Sequence, residues 1–171
     1  MMKKAYEICI EMIIERNYEI IDKDDERILA KKPDGNLMCI FLTNSSKFNV
    51  DSIQEYILMM RKMNLWHSII VYKDNVTPVA KKIISDTNDF KIELFQAEEL
   101  QYNITKHYLV PKHEIHCKKG TPEFLEFKKK YSDNFPIILK TDPVSRFYSY
   151  DKGDIIKITR KNGYVTFRIV K

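Results

Sequence analysis

The unbroken apolar run at residues 37–42, together with the mostly apolar stretch rich in β-branched residues at 68–72, constrains the fold of this chain more than any other feature. A strand with one solvated face alternates apolar and polar side chains, so an unbroken run indicates a strand that is covered on both faces. Between these two strand candidates, apolar residues recur with helical spacing at Ile53, Tyr56, Ile57, Met60 and Met63. Strand, helix and strand in this order predict a mixed or parallel sheet with flanking helices.

The segments around these strands extend the same pattern. Ser52 and Glu55 suit a capping box at the start of the helix. Residues 27–32 and 91–95 are further strand candidates, residues 18–21 look extended, and residues 22–26 form a charged turn. The chain begins with an amphipathic helix whose apolar stripe is formed by Ala5, Ile8, Cys9, Met12 and Ile13.

The net charge of the chain changes sign near residues 103–107. Residues 1–105 carry 14 Lys and Arg against 17 Asp and Glu, whereas residues 106–171 carry 15 against 7, which gives net charges of −3 and +8. We therefore expect two domains, 1–105 and 106–171. The basic domain suits nucleic acid or an acidic partner, but charge alone favours the alternative of a solvated lysine-rich face.

The basic domain has a strong hairpin signal at its end. Residues 155–160 and 164–170 flank Asn162-Gly163, the dipeptide that favours a type I′ turn with positive φ at both positions. Before it we expect an extended segment at 108–111, a helix at 123–131 and a strand at 137–139. No apolar run approaches the roughly 18 residues of a membrane span. The three cysteines are odd in number and widely spaced, so they read as buried thiols.

Three stretches carry a family resemblance: Asp142-Pro143-Val144-Ser145-Arg146-Phe147-Tyr148, then residues 153–158, then residues 164–170. Together they resemble the end of the subunit shared by eukaryotic RNA polymerases I, II and III, whose archaeal counterpart has only the C-terminal domain. Residues 68–82, 92–107 and 109–113 resemble that family's jaw domain and connector. The similarity therefore extends over roughly residues 5–171.

The resemblance implies an α/β (α+β) fold. Its parts would be a jaw domain with a mixed sheet flanked by helices, restriction-endonuclease-like but without an active site, and a small mixed α/β assembly domain ending in a β-hairpin. It also implies a non-catalytic subunit of a DNA-directed RNA polymerase, with the largest subunit, other subunits and downstream duplex DNA as partners. A short 22–26 segment and a short last hairpin turn depart from the family and favour a viral copy. The expected location is the nucleus for a cellular protein, and host cytoplasm, viral factory or virion for a viral one.

A DNA contact is predicted where Thr77-Pro78 opens a helix. Thr is a favoured N-cap, Pro suits the first helical position, and the free N–H groups of a helix start suit a phosphate. Lys81 and Lys82 follow one turn later. In the resembled family this element lies beside downstream DNA. An ordinary helix cap is the alternative.

A partner interface is predicted around an Asp-Pro turn. Asp142 can accept hydrogen bonds from the N–H of Val144 or Ser145, with Pro143 fixing the bend. Arg146 is then presented beside Tyr148, to pair either with a partner's carboxylate or with a carboxylate of its own domain. The resemblance implies packing of this region, with Pro111 and His113, against the largest subunit.

The sequence predicts neither a catalytic site nor a metal site. His113, His116 and Cys117 lack a fourth ligand at a familiar spacing, and His67 and His107 have no acid or nucleophile pattern around them. A nuclease related to the jaw fold needs an acidic-x-Lys triplet on the strand after Pro33-Asp34, but residues 37–42 are all apolar. We expect no catalytic residue, metal or cofactor. A stand-alone basic DNA-binding protein is the alternative function, and a nuclease ranks third.

Overall fold

A computed structural model of the protein describes residues 1–45, 47–131 and 135–171. They form two units, Met1–Tyr102 and Asn103–Lys171, and the boundary at 105/106 stays a prediction. The helices are α1 Met2–Glu15, α2 Val50–Lys62, α3 Pro78–Asp86, α4 Pro122–Lys130 and α5 Pro143–Tyr148. The strands are β1 Glu19–Lys23, β2 Arg27–Lys31, β3 Leu37–Leu42, β4 Lys47–Phe48, β5 His67–Tyr72, β6 Asn75–Val76, β7 Lys91–Gln96, β8 Lys112–Cys117, β9 Ile137–Ile138, β10 Ile155–Thr159 and β11 Val165–Val170. Two short 3-10 helices span Ala97–Leu100 and Ile104–Lys106.

The first unit is built on a five-stranded sheet in the order β1-β2-β3-β5-β7. Strands β1, β2 and β3 are antiparallel neighbours, whereas β3, β5 and β7 are parallel. This is the mixed sheet expected from the apolar runs. A separate two-residue ladder pairs β4 with β6 just before α3.

Helices cover both faces of this sheet. Cys39 and Phe41 of β3 share a buried cluster with Ile53 of α2 and Ala80 of α3. Side chains alternate along a strand, so Ile40 and its buried neighbours lie on the opposite face. Helix α1 contacts β1 and β3, and its five predicted stripe residues are its buried ones. The apolar pattern thus identified the buried face of α1.

Two local predictions in this unit are wrong. The N-cap of α2 is Asn49, whose side-chain oxygen accepts a hydrogen bond from Ser52 N at 3.1 Å, so Ser52 lies inside the helix. Asn and Ser cap helices equally well, and the sequence offers both within one turn. The charged turn is also shorter than predicted. Strand β1 continues to Lys23, and Asp24 then accepts hydrogen bonds from the N–H groups of Glu26 and Arg27, both at 2.9 Å.

The second unit has a four-stranded sheet in the order β8-β10-β11-β9. Strands β8, β10 and β11 are antiparallel, and β9 joins β11 in parallel. On one face Ile156 and Ile158 form a buried cluster with Tyr150. On the other face Ile155 packs with Phe127 of α4. The mixed α/β character and the closing hairpin agree with the predicted fold class.

Two predictions in the second unit are corrected. The segment 108–111 is not extended, because a turn there is closed by a hydrogen bond from Val110 N to His107 O at 2.9 Å. The hairpin turn is not type I′. Gly163 has a φ of 83°, but Asn162 is not among the positive-φ residues. Gly163 N donates to Arg160 O, and Arg160 N donates to Tyr164 O, which is the pattern of a three-residue loop with glycine in the left-handed position.

None of the helices in the described part of the chain combines the length and the apolar composition that crossing a membrane requires. The three cysteines are free thiols and all are buried. Burial raises the pKa of Cys9 and of Cys39 to about 12. These thiols therefore remain protonated at neutral pH.

Candidate assembly and nucleic-acid surfaces

The start of α3 has the predicted geometry. Thr77 is the N-cap and accepts a hydrogen bond from Ala80 N at 3.3 Å, with Pro78 at the beginning of the helix. Thr77 N is itself bonded to Phe48 O at 3.1 Å, which ties the helix start to the β4–β6 ladder. The cap prediction is therefore confirmed, and the position of the helix start depends on a contact across some thirty residues of chain.

Positive charge gathers near this helix start. Lys81 and Lys82 are exposed one turn into α3, and the first turn of α3 holds no acidic residue. A helix N-terminus carries a partial positive charge, so lysines nearby add to a field that attracts anions. This surface can hold a phosphate without reading a base. Its use for DNA stays a prediction.

The Asp-Pro turn is confirmed and also starts a helix. Asp142 Oδ1 accepts a hydrogen bond from Val144 N at 2.9 Å, as expected of an Asx turn, and α5 begins at Pro143. Only a turn was predicted from the sequence, because six residues are too few to show a helical period. Arg146 is half-buried in the last turn of α5. Ser149 ends the helix in the left-handed conformation, with a φ of 56°.

A cavity of about 370 Å³ opens beside α5, with every lining residue in the second unit. It brings together four of the predicted interface residues, Pro111, His113, Val144 and Tyr148. The other three, Asp142, Pro143 and Arg146, are not in its lining. The rest of the wall was not predicted from the sequence: Thr105, Val110, Lys112, Thr159, Arg160 and Lys161.

His113 has a defined protonation pattern in this wall. Its Nδ1 lies 2.7 Å from Pro111 O. Because a carbonyl oxygen only accepts, Nδ1 carries the hydrogen and Nε2 is the acceptor of the neutral ring. Burial lowers the pKa of His113 below its usual value, despite the Pro111 hydrogen bond. The ring is therefore neutral near pH 7 and offers one acceptor.

The histidines and cysteine of β8 do not form a metal centre. The His116 ring packs against Phe127 and Phe167 at centroid distances of 5.1 and 4.9 Å, and Cys117 is buried. Among the residues that the structure describes, no group of three or more His, Cys, Asp or Glu side chains suits a metal ion.

The first unit contains a buried ionic network that the sequence analysis missed. Arg16 binds both carboxylate oxygens of Glu93, at 2.9 and 3.0 Å. His67 Nε2 lies 2.6 Å from Glu93 Oε1, and Tyr18 Oη lies 3.5 Å from His67 Nδ1. The Arg16 and His67 side chains are only 3% and 5% exposed. The expectation that His67 has no acidic partner is therefore wrong.

Sheet register explains why these groups meet. Strands β5 and β7 pair in parallel with Ile69 opposite Glu93. His67 is two residues before Ile69, so it shares a face with Glu93. The sequence alone would therefore predict the His67–Glu93 contact only if the parallel pairing of β5 with β7 and its register were known.

The network holds one ionised carboxylate. Burial acts to raise the pKa of Glu93, but Arg16 and the His67 hydrogen bond outweigh it and hold that pKa well below its usual range. Burial lowers the pKa of His67, so its ring is neutral at pH 7. Nε2 then donates to Glu93, and Nδ1 accepts from the Tyr18 hydroxyl. Each group is committed to a neighbour, which suits a structural role rather than catalysis.

Comparison with known proteins agrees with the resemblance. Residues 102–170 match the family described as RNA polymerase Rpb5, C-terminal domain. A putative DNA-directed RNA polymerase subunit of Invertebrate iridescent virus 6 is 33% identical over an alignment of 189 positions that covers all of both chains. The Dictyostelium discoideum subunit rpabc1 of DNA-directed RNA polymerases I, II and III is 34% identical over 137 positions, or 76% of this chain and 70% of the relative. Among solved structures, apo EndoMS aligns with 52% of this chain and 44% of its own at 14% identity and a TM-score of 0.36. The chain belongs to the Rpb5 family of DNA-directed RNA polymerase subunits.

Proposed function

We propose that this chain is a non-catalytic polymerase subunit that binds the largest subunit through its second unit and supports downstream duplex DNA through its first. The observation that carries the proposal is the cavity beside α5, which brings together Pro111, directly before β8, and His113 of β8 with Val144 and Tyr148 from α5. These residues lie inside the part of the chain that matches the Rpb5 C-terminal domain. A recess that combines apolar side chains with polar and charged ones suits a protein partner, because protein interfaces pair an apolar centre with a polar rim.

Asp34 and Glu93 of the first unit have structural partners, which is consistent with the proposed non-catalytic role. Both oxygens of Asp34 are bonded to Asn36 in the β2–β3 turn, so this carboxylate is used to shape the hairpin. The following strand, β3, carries no carboxylate that could serve as a second Mg²⁺ ligand. Glu93 is occupied by Arg16 and His67. Nucleotide addition then belongs to other subunits of the enzyme.

The DNA role is tested by reversing charge at the start of α3. In polymerase assembled with the K81E/K82E variant, we expect a weaker hold on downstream duplex and a shallower dependence of affinity on salt. The slope should fall by roughly one for each lost phosphate contact. K3E/K4E is the matched control, because Lys3 and Lys4 are exposed near the start of α1 in the same unit. An unchanged slope for K81E/K82E would refute the DNA contact.

Assembly is tested by capture of the tagged chain from its native source, followed by mass spectrometry after a moderate salt wash. Near-equal recovery of the two largest polymerase subunits is the expected result. Their sequences also decide between a nuclear enzyme and a viral one made in host cytoplasm, viral factory or virion. Recovery of the chain with DNA alone would favour the second candidate function, a stand-alone DNA-binding protein, which the net charge of +8 on residues 106–171 supports.

A further inference from the structure

The cavity beside α5 has an apolar side and a cationic side. Val110, Pro111 and Val144 form an apolar surface, with Val144 buried and the other two half-buried. Lys112, Arg160 and Lys161 are exposed at its edge, and its lining includes no carboxylate. Lys112 already pairs with Glu114 at 2.7 Å. Arg160 and Lys161 form no ion pair with the described residues, so they are available to a ligand.

The turn that leads into the cavity is unusually apolar for a surface. Tyr108 and Leu109 are 70% and 69% exposed, directly before Val110. Large apolar side chains beside a recess are typical of the centre of a protein interface, where tyrosine is enriched. Water contact at two such side chains is a cost that a partner segment removes on binding.

We propose that this cavity receives an acidic and apolar peptide segment of the largest polymerase subunit. An apolar side chain would enter between Val110, Pro111 and Val144. Neighbouring Asp or Glu residues of the segment would pair with Arg160 and Lys161. This inference rests on the proposed assembly function and adds the chemistry of the partner segment.

The size of the cavity favours a peptide. Its volume of about 370 Å³ lies at the lower end of the range for binding pockets, about 300–1,000 Å³. Such a space admits side chains of one segment rather than a domain. His113 adds a single acceptor at Nε2, which suits an N–H or O–H donor of the same segment.

Nucleic acid fits this surface less well. Single strands bind to aromatic faces on which bases stack, along a track of cations. Tyr148 is half-buried, and its ring is already stacked on Tyr150 at a centroid distance of 5.4 Å. Val110, Pro111 and Val144 of the lining are aliphatic and offer no ring for stacking. Stacking on the lining would therefore be limited to the half-buried rings of Tyr148 and His113.

Charge reversal of the cavity edge tests the proposal. In binding assays with the full chain and an assembly of the two largest subunits, R160E/K161E should weaken binding about tenfold at 0.1 M salt, with a smaller loss at 0.5 M. K118E/K129E is the matched control, because both lysines are exposed in the same unit and outside the cavity lining. It should stay within about twofold of the unchanged chain. An equal loss in both variants would refute a specific role for the cavity edge.

A second pair of variants tests the occupant's charge inside the cavity. V110D and V110N have nearly the same size and both remove the apolar contact at Val110. V110D should bind several-fold more weakly than V110N, since only the carboxylate repels an acidic segment. Equal binding of the two variants would contradict an acidic occupant. Thermal unfolding of each variant shows whether a lost interaction reflects a lost fold.

Failure of the proposal and failure of the assembly function give different results. If the chain binds the two largest subunits and R160E/K161E binds equally well, the cavity inference is wrong and assembly stands. If no polymerase subunit binds, the proposed assembly function is wrong. Binding of a fluorescent peptide of alternating Asp, Leu and Phe then tests the ligand preference of the cavity by itself. Binding of that peptide, lost when Asn replaces Asp or in R160E/K161E, supports the cavity. Its failure to bind, or Arg160-dependent binding of a 20-nucleotide single strand instead, overturns the inference.

Discussion

Replacement of Arg16 by methionine should reveal how strongly the buried network depends on charge. The guanidinium holds both oxygens of Glu93 within 3.0 Å, and the Glu93 side chain is only 15% exposed. Removing one partner of such a pair leaves an uncompensated buried charge, which costs about 3–5 kcal/mol. We expect R16M to lose free energy of unfolding in that range at pH 7.5.

The loss should depend on pH in a predictable direction. In the unchanged chain the pKa of Glu93 is below its usual value, so the network stabilises the fold above the usual carboxyl range, and this contribution falls as pH drops through the lowered pKa. Without Arg16, burial raises that pKa, so folding of R16M takes up a proton. The difference between R16M and the unchanged chain should therefore shrink as pH falls from 8 to 5. The limit is about 1.4 kcal/mol per pH unit for one proton.

Urea unfolding followed by tryptophan fluorescence measures this effect. Trp66 is the only tryptophan of the chain and its ring lies 5.3 Å from the His67 ring, so the signal reports the first unit. R27M is the matched control. Arg27 pairs with Asp24 at the same 2.9 Å but is 42% exposed, so its loss should stay below about 1 kcal/mol.

A double variant separates charge from packing. R16M/E93L removes both charges and should recover part of the stability that R16M loses, since no unpaired ion remains. Equal stability of R16M and the unchanged chain would refute the reasoning. A loss that is the same at pH 5 and pH 8, or one that E93L deepens, would assign the role of Arg16 to packing instead.

Three further predictions concern two glycines and a helix cap in the second unit, each measured by thermal unfolding with circular dichroism. G163A should lose about 1–2 kcal/mol, because Gly163 has a φ of 83°. G153A should lose more, since Gly153 has a φ of 96° and a new Cβ would lie 2.5 Å from a side-chain carbon of Lys119; equal losses would contradict the collision. D142A should lose about 1 kcal/mol through the helix cap, whereas D142N should lose little. A similar loss for D142N would show that the Asp142 charge, not the cap, is what matters.

Local patterns predicted much of the fold. Buried positions of α1 follow from helical spacing, the cap of α3 follows from Thr77-Pro78, and the apolar run of β3 follows from burial on both faces. Each depends on neighbours within a few residues. Errors arose where two local solutions compete. Asn49 and Ser52 are both good N-caps, and the Asn162-Gly163 hairpin accepts either a two-residue or a three-residue loop.

The candidate sites also differ in how far the sequence could predict them. Residues of the α3 start are adjacent in sequence, so their grouping was predictable. Arg160 and Lys161 join the cavity because the β10–β11 hairpin returns beside the turn at Val110. No local period reports that approach. Proximity of this kind requires the order of strands in the sheet, which the sequence patterns did not supply.

By itself, the sequence determined the secondary structure of the strongly periodic segments, the basic character of residues 106–171 and membership of the Rpb5 family. Tertiary structure alone decided the ionic network and the cavity. Arg16 and Glu93 are 77 residues apart, and only the parallel register of β5 with β7 places Glu93 on the face that it shares with His67. Short-range patterns arise from the geometry of one element, whereas contacts between charged groups depend on which elements pair and in what register.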